Sequence, residues 1–456
     1  MKKDNPKNNI FKRFKDSIYT RSINPKNERD KIQVIFQSFI LHLHPTMIPE
    51  RSLKLSVTWG LGGMAALLFV IQALTGILLR FVYQPFPGKA YDSIVYMKSE
   101  IFFGELVRNI HHWSGTFLVL IVFLHLLRVY FTGAYNERRQ FNWVLGVFLL
   151  ILVVFSNFTG YLLPWDQLAF WAITVSTSML SYIPFIGDSL VEMVRGGSEV
   201  GESTLLIFYN FHSGIFPILM LLVMGFHFWR VRKAGGVAIS KDESLTENKL
   251  ATTLPNLVFR EFVVALMLIA VILIFSILFN APLLDKANPA FSPNPAKAPW
   301  YFEGVQELML HFHPLFASII IPLLIITILI FLPYFQYDSK TSGIWFLSNK
   351  GKQTSKISAI VGLILTPTLI LIDEYFMDFS ANFEAIPTAI TNGLIPFLII
   401  LLLLSGYYQF IKRKFNTNKT ETIQSLFVLI LTIFIVLTLT SIVFRGEGMA
   451  LTFPWI

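Results

Sequence analysis

The dominant pattern along the chain is a series of long apolar segments separated by short polar ones. Each long segment is close to the roughly 20 apolar residues that a helix needs to cross a bilayer. They are too long and too continuous to be the strands of a membrane barrel. The pattern therefore predicts an all-α, polytopic membrane protein with about nine spans, at about 57–83, 111–132, 141–163, 212–233, 258–280, 314–335, 357–375, 389–411 and 424–445.

Two other segments have different patterns. Residues 165–190 are apolar but bounded or interrupted by Pro164, Pro184 and Gly187, which favours short helices at the membrane surface. Residues 30–43 have the amphipathic pattern of a helix that lies on the membrane. These features divide the chain into four parts. Residues 1–50 are a polar N-terminal part, 51–240 contain four spans, 241–356 contain two spans and a long loop, and 357–456 contain three spans.

The composition agrees with a membrane environment and limits the cofactors. Of the 456 residues, 54% are hydrophobic and only 14% are charged, which is far from the balance of a soluble domain. The chain has no cysteine. It therefore forms no disulfide and supplies no thiolate to an iron–sulfur cluster, a zinc site or a covalently attached haem. Any bound metal must be held by histidine, carboxylate or a cofactor.

The net charge of +9 is explained by membrane orientation, and a nucleic-acid partner is not needed. If the spans alternate from an inner N-terminus, all the inner segments are rich in Lys and Arg, whereas the outer ones are poorer. This is the positive-inside pattern, with the C-terminus outside. The first 31 residues are basic and have no apolar core, so they are expected to be a cytoplasmic tail near anionic lipid rather than a secretory signal.

Four histidines within the spans have a regular spacing. His111 and His125 are fourteen residues apart on the second span, and His212 and His227 are fifteen apart on the fourth. Each pair covers about 21–23 Å along a helix and returns to within about 40° or 60° of one face. Because the two spans run in the same direction, His111 is level with His212, and His125 with His227. This arrangement predicts two stacked, non-covalent haems b, each held by two axial histidines.

Glycines and arginines near these spans support the same interpretation. Gly62 and Gly76 on the first span, and Gly146 and Gly160 on the third, repeat the fourteen-residue period. They would let a flat macrocycle approach the backbone, although small residues also serve ordinary helix packing. Four arginines lie near span ends, namely Arg80, Arg108, Arg128 and Arg139. They are candidates to pair with haem propionates. The alternative is that their side chains extend to the lipid surface.

Two other functions remain open on these residues alone. The first is a dihaem membrane anchor that passes electrons between a soluble dehydrogenase and the quinone pool. The second is a transporter whose intramembrane histidines form a proton relay. The remaining histidines fit neither pair: His112 is expected to pack beside a ligand, and the others are expected to be interfacial, namely His42, His44, His311 and His313.

Three stretches resemble cytochrome b of the Rieske/cytochrome b complexes, the quinol–cytochrome c/plastocyanin oxidoreductases. They read RNIHHWSGTFLVLIVFLHLLRVYFTGAY, FTGYLLPWDQ and STLLIFYNFHSGIFPILMLLVMGFHFWRVRK. The resemblance covers about residues 30–335, and the fifteen-residue spacing of the second pair is similar to the photosynthetic branch, here in a single-chain bacterial form. It implies that 51–240 is a four-helix dihaem domain. His111 and His212 would hold the low-potential haem iron near the outer face, and His125 and His227 the high-potential haem iron near the inner face.

The resemblance also implies two quinone sites. Tyr161 matches a tyrosine of the outer quinol-oxidation pocket. The family's Pro-Glu-Trp-Tyr motif corresponds to residues 298–301, ending in Tyr301, with Pro299 in place of the glutamate. Oxidising a quinol releases protons, so Glu303 or Glu307 is expected to supply the missing carboxylate. The alternative is that these glutamates are ordinary acidic residues near the N-terminus of a helix.

Further implications of the resemblance concern the inner site and the partners. Glu261 matches an acidic residue of the inner quinone site. Gly60 replaces a cysteine that carries an extra covalent haem in the photosynthetic branch, so that haem is not expected. The implied complex, in a bacterial energy-transducing membrane, contains a Rieske iron–sulfur protein and a cytochrome c-type subunit or acceptor, uses quinol and quinone, translocates protons and forms a homodimer. The ninth span has no role that the residues reveal.

Overall fold

A computed structural model describes residues 47–136, 138–238, 249–335, 343–376 and 385–453. The basic tail and the amphipathic helix expected at 30–43 therefore lie outside the described residues. In chain order the longer helices are α1 Leu61–Arg80, α2 Ala90–Ser99, α3 Gly104–Phe131, α4 Gln140–Leu162, α5 Gln167–Ser178, α6 Gly187–Arg195, α7 Glu202–Lys233, α8 Val258–Leu278, α9 Glu303–His311, α10 Leu315–Tyr334, α11 Asn349–Phe376, α12 Ile390–Lys414 and α13 Lys419–Phe444.

The described residues confirm an all-α membrane protein. Nine of these helices are long and apolar enough to cross a bilayer, and each corresponds to one of the predicted spans. Large apolar side chains are exposed along α8 and α12, as expected for helices whose solvent is lipid. The described strands are two short ones, β1 Met47–Pro49 and β2 Leu250–Thr252, which pair antiparallel. The polypeptide is thus an integral membrane protein.

The segment after α4 forms short helices, as its interrupted apolar pattern predicts. Asp166 caps the N-terminus of α5, where its carboxylate accepts a hydrogen bond from the Ala169 amide at 2.9 Å. The same carboxylate accepts from the Leu284 amide at 3.1 Å. Asp166 therefore ties the loop after α8 to the first turn of α5, because its carboxylate satisfies backbone donors from both.

Helices α1, α3, α4 and α7 form a bundle, in which α1 packs on α3, α3 on α4, and α4 on α7. The centre of the bundle is apolar. On α3 and α7 the buried side chains there lie about midway between the two histidines, and on α1 and α4 about midway between the two glycines. They are Leu68, Phe69, Leu118, Val119, Leu152, Val153 and Met220. This layer separates an upper level, which we define by His111 and His212, from a lower level, defined by His125 and His227.

The C-terminal helices form a second packing unit. Helix α13 packs along α11, and its upper part packs against α9. Small and polar side chains line the α11–α13 contact: Ser425 donates a hydrogen bond to Thr354 at 2.8 Å, and Gln424 donates to Ser355 at 3.1 Å. Such pairs hold membrane helices together where burial of apolar surface gives little driving force.

Candidate cofactor and substrate sites

The upper pair, His111 on α3 and His212 on α7, faces across the bundle. Their ring centres are 6.0 Å apart and their planes are 78° apart. An imidazole nitrogen binds a first-row transition metal at about 2 Å, and the ring centre lies about 1 Å behind it, so two imidazoles on opposite sides of one metal have centres about 6 Å apart. The spacing of the upper pair therefore suits two axial ligands of one iron.

Hydrogen bonds fix which nitrogen of each upper ring is available. His212 Nδ1 donates to the Ser156 carbonyl at 2.8 Å. His111 Nδ1 lies 2.9 Å from the Thr75 hydroxyl, which itself donates to the Ile71 carbonyl at 2.6 Å and so accepts from the ring. With both Nδ1 atoms used in this way, Nε2 is the nitrogen of each ring that is left available to a metal, as is common for histidines that bind one.

The lower pair, His125 on α3 and His227 on α7, lines a shared cleft. The cleft has about 570 Å³ of space between atoms, including its open mouth, and Gly62 and Gly146 lie on its wall. Nδ1 of each of these rings is buried without a hydrogen bond of ordinary geometry among the described residues. The Asn142 backbone, fourteen residues before Ser156, interacts with the His227 ring. The lower level therefore also has two facing histidines, with space beside the rings for a planar group.

Each predicted glycine lies against a predicted histidine of the neighbouring helix. A Cβ at Gly76 would lie 3.2 Å from the His111 ring, and one at Gly160 would lie 2.5 Å from the His212 ring. At the lower level the corresponding distances are 3.4 Å from Gly62 to His125 and 3.7 Å from Gly146 to His227. The fourteen-residue period thus places one glycine from α1 and one from α4 at each level. An added Cβ would crowd the imidazole at the upper level and would make ordinary contact with it at the lower level.

A π-helical turn explains why the second histidine pair is one residue wider than the first. Residues Phe211–Ile215 form a single π turn within α7, and His212 lies in it. A π turn accommodates one extra residue compared with an α-helical turn. Fifteen residues along α7 therefore bring the second histidine back to nearly the same face as fourteen along α3, which removes the offset that an uninterrupted helix would produce.

All four predicted arginines have partners within the protein, and in three of them no buried nitrogen lacks a hydrogen bond among the described residues. Arg108 donates to the Ala281 and Pro282 carbonyls at 2.8 and 2.6 Å, and Arg139 donates to the Ala234 carbonyl at 2.8 Å. The structure therefore gives these two a role in holding loops at opposite ends of the bundle. The guanidinium of Arg80 lies over an aromatic ring, 5.7 Å from the centre of Tyr209.

Arg128 is the arginine whose surroundings best suit an anion. Its Nε donates to the Val57 carbonyl at 2.8 Å, but its buried Nη2 has no hydrogen-bond partner among the described residues. Arg139 is close enough for the two positive charges to interact. A buried guanidinium nitrogen without a partner, beside a second cation, is costly unless an anion is bound.

Tyr161, Tyr301 and Glu303 meet at the upper end of the bundle. Tyr301 packs against the central apolar layer and interacts electrostatically with Tyr161, which in turn interacts with Glu303. Glu303 begins α9, is only 3% exposed, and accepts a hydrogen bond from the Ser441 hydroxyl. Burial raises the pKa of Glu303, and the bond from Ser441 and the charge of Lys297 offset only part of that effect. A carboxyl with a raised pKa beside two tyrosines is suited to exchange protons.

Glu307, the second carboxylate that the sequence suggests, has different surroundings. It is fully buried, and Arg445 binds both of its oxygens, at 2.8 Å from Nη2 and 3.0 Å from Nε. His311 Nε2 lies 3.3 Å away. Burial alone would raise the pKa of Glu307, but the bonds from His311 and Arg445 lower it. Glu303 is therefore the better candidate for contact with a substrate.

His311, which belongs to neither predicted histidine pair, has partners that the histidine spacing does not predict. It lies between two carboxylates, Glu307 and Asp373. The i, i+4 spacing of Glu303, Glu307 and His311 is a signal that sequence reasoning could have used. His313 instead lies against the Tyr182 ring, with centres 5.3 Å apart.

The structure places Glu261 apart from the upper site. It lies exposed in the first turn of α8, whereas the adjacent Arg260 donates a hydrogen bond to the Leu53 carbonyl. At the same end of the bundle, Gly60 has φ of +66°, and a Cβ there would lie 3.2 Å from Val264. His112, next to a predicted ligand, lies edge-on to Trp113 with ring centres 4.7 Å apart, as expected for a packing residue.

Comparison with known proteins gives the family. A family model described as cytochrome b/b6/petB matches residues 48–235. Cytochrome b6 of Acaryochloris marina is 41% identical over 180 residues, which is 40% of this chain and 84% of that protein. Cytochrome b6 of Synechococcus sp. (strain CC9311) is 38% identical over 208 residues, which is 46% of this chain and 92% of that protein.

A solved structure extends the likeness of the fold beyond the family match. A chain of a hyperthermophilic respiratory Complex III aligns with a TM-score of 0.61 over 91% of this chain and 97% of that one, at 23% identity. The fold of α8 to α13 is therefore shared as well, although their sequences diverge. On the identity and coverage of its relatives, and on the bundle that residues 48–235 form, this chain belongs to the cytochrome b/b6 family.

Proposed function

We propose that this chain is the haem b-carrying core subunit of a quinol-oxidising complex. It transfers electrons across the membrane between an outer quinol-oxidation site and an inner quinone-reduction site, with proton translocation. The observation that carries the proposal is the pair of histidine levels within one bundle. Family membership and the Complex III fold support it.

The residues of both levels fit a haem b. The upper rings have their centres at the correct separation, glycines from α1 and α4 clear the space beside each histidine, and the unpaired Nη2 of Arg128 suits a lower-level propionate. When bound, the haems supply one-electron transfer between the two faces. The protein would supply the imidazole nitrogens that hold the irons, and an apolar layer lies between the two levels.

At the upper level, which we assign to the outer face, Tyr161, Tyr301 and Glu303 would surround the quinol. A proton leaves the quinol hydroxyl when the quinol is oxidised, and the Glu303 carboxylate is the group placed to take it. Trp300 and Tyr301 keep their places in the altered motif, whereas the acid lies four positions beyond Pro299. Glu261, at the lower and inner end, is the corresponding candidate for quinone reduction.

Orientation and partners follow from charge and composition. Lys and Arg residues are frequent at the lower end, around the C-termini of α3, α7 and α12, which supports an inner lower end, an inner N-terminus and an outer C-terminus. The quinol gives up two electrons, and one must leave through another subunit. Because this chain has no cysteine for a cluster, we propose a Rieske iron–sulfur protein and a cytochrome c-type acceptor as partners, in a homodimeric complex.

The test of this function is quinol oxidation by the purified complex. Short-chain mena-, ubi- and plastoquinol analogues are supplied in turn, and reduction of a soluble acceptor and proton release outside sealed vesicles are followed. We expect turnover with at least one quinol and acidification outside. A preparation that contains haem but passes electrons only from a soluble dehydrogenase to quinone would favour the membrane-anchor function instead.

The glycine positions give a separate prediction. In Gly160→Ala the added methyl group lies 2.5 Å from the His212 ring, so the ring must leave its ligating position and the upper haem is lost. Gly63→Ala is the matched control, because a Cβ at Gly63 has no atom within 4 Å. We expect haem content per chain to fall toward half in Gly160→Ala and to stay unchanged in Gly63→Ala. Full haem content in Gly160→Ala would show that the glycine is not needed for ligation.

A further inference from the structure

Three titratable side chains lie in a row on one face of α9. Glu303, Glu307 and His311 are four residues apart from one another, which places them above each other on successive turns. Glu303 interacts with Tyr161 at the quinol site, and His311 contacts Asp373 on α11. The side chains of Glu307, His311 and Asp373 are 0%, 10% and 37% exposed. The row therefore leads from the buried site to the protein surface.

His311 connects two carboxylates through its two ring nitrogens. Nε2 lies 3.3 Å from Glu307 Oε1, and Nδ1 lies 2.6 Å from Asp373 Oδ2. Burial alone would lower the pKa of His311, but the bonds with Asp373 and Glu307 raise it to about 9, so at neutral pH both nitrogens carry protons. An imidazole in this position can pass a proton from one carboxylate to the other.

Other charged groups around the row hold it in place. Arg445, just after α13, binds Glu307 with two nitrogens and Glu374 of α11 at 3.0 Å. Lys297 is the cation that interacts with Glu303. Buried ion pairs are weak contributors to stability because both charges lose their hydration. A row that runs from two buried carboxylates, Glu303 and Glu307, through His311 to the partly exposed Asp373 is therefore better explained by proton transfer than by stability.

On the basis of the proposed function, we propose that this row is the exit path for the proton that Glu303 takes from quinol. Glu307 and His311 relay the proton along α9, and Asp373 delivers it to the outer aqueous phase. Arg445 is a positioning residue that keeps Glu307 within reach of His311. The path is distinct from the haem levels, since none of its members lies on α1, α3, α4 or α7.

The transfer balances without any further reactant. The quinol O–H proton moves to the Glu303 carboxylate, and rotation of that side chain brings it to Glu307, one turn away. The His311 imidazolium gives its Nδ1 proton to Asp373, which releases it to water. Side-chain rotation then presents the bare nitrogen to Glu307, which returns a proton to the ring. One proton has entered at Glu303, one has left at Asp373, and every group is restored.

The test uses the full complex with His311→Gln, Asp373→Asn and, as a control, Glu374→Gln. Glu374→Gln removes the other carboxylate of Arg445 but leaves the row intact. Quinol oxidation is measured in H₂O and D₂O, with and without added imidazole or formate, together with haem content. We expect both row variants to lose at least tenfold in turnover at unchanged KM, with a larger solvent isotope effect. Imidazole should restore activity to His311→Gln, and formate to Asp373→Asn.

The control outcome separates relay from structural support. Glu374→Gln should keep turnover within twofold, with the wild-type isotope effect. Equal losses in all three variants, without rescue or isotope change, would show that the network only stabilises the fold. If the complex with His311→Gln does not assemble, the result for Asp373→Asn, at the surface end of the row, decides whether the row carries protons. Wild-type activity with unaffected row variants would overturn the path alone, whereas an inactive wild-type complex would overturn the proposed function.

Discussion

Replacing His212 by alanine is expected to reduce the haem b content from two per chain to one. The variant removes one Nε2 ligand of the upper pair and leaves His125 and His227 in place, with an apolar layer between the levels. The remaining ligand, His111, cannot provide bis-histidine ligation alone. The measurement is haem content by pyridine haemochrome with a redox titration, in which one of two components should disappear.

The matched control for this variant is His313→Ala. His313 is another histidine at the upper end, and it contacts a tyrosine ring instead of a second histidine. It should retain both haems and both redox components. If His212→Ala also kept both components at unchanged potentials, the assignment of the upper pair as ligands would be wrong.

Replacing Glu303 by glutamine is expected to slow quinol oxidation by about 10²–10⁴-fold, the usual contribution of a general base, with haem content unchanged. Glutamine keeps the shape of the side chain but cannot accept the proton. Glu105→Gln is the control, since Glu105 pairs with Lys98 near the start of α3, away from the tyrosines. Turnover near the wild-type value in Glu303→Gln would exclude this carboxylate as the acceptor.

The pH dependence gives a second readout at the same residue. Only the ionised carboxylate accepts a proton, so the rate should rise with pH as Glu303 ionises. The bond from Ser441 lowers the pKa of Glu303 against the larger effect of burial. Ser441→Ala removes that bond and raises the pKa, so the rising limb of the pH–rate profile should move to higher pH. Glu303→Gln should lose that limb.

Much of the fold follows from the sequence because the membrane simplifies the problem. Long apolar segments must form helices that cross the bilayer, since backbone groups in lipid have no other partners. Depth then follows from residue number along each helix. For this reason His111 and His212 come together although they are 101 positions apart in the sequence, and the glycines of α1 and α4 lie at the levels that their spacing predicts.

The features that could not be predicted depend on contacts distant in sequence or on local backbone geometry. The π turn at Phe211–Ile215 has no evident residue signature, yet it sets the register of His212. The partners of Arg108 lie more than 170 residues along the chain, and Arg445 lies 138 residues from Glu307. Spacing within one helix gives no information about such pairs.

The last span illustrates the same limit. Its sequence suggests no role, but the structure places its upper end against α9. Ser441 bonds Glu303, and Arg445 bonds Glu307, so α13 completes the surroundings of the candidate proton acceptor. On the proposed function, the residues beyond the cytochrome b/b6 match would therefore contribute to the same quinol site as the bundle.

The most direct test of the central claim is the haem content of the purified wild-type chain. A pyridine haemochrome assay, with protein measured by quantitative amino-acid analysis, counts haem b per polypeptide. Four histidines at two levels predict two haems b per chain, both extractable by acidic acetone because neither is covalently attached. A colourless protein, or a chain with a single haem that involves only one histidine pair, would contradict the account.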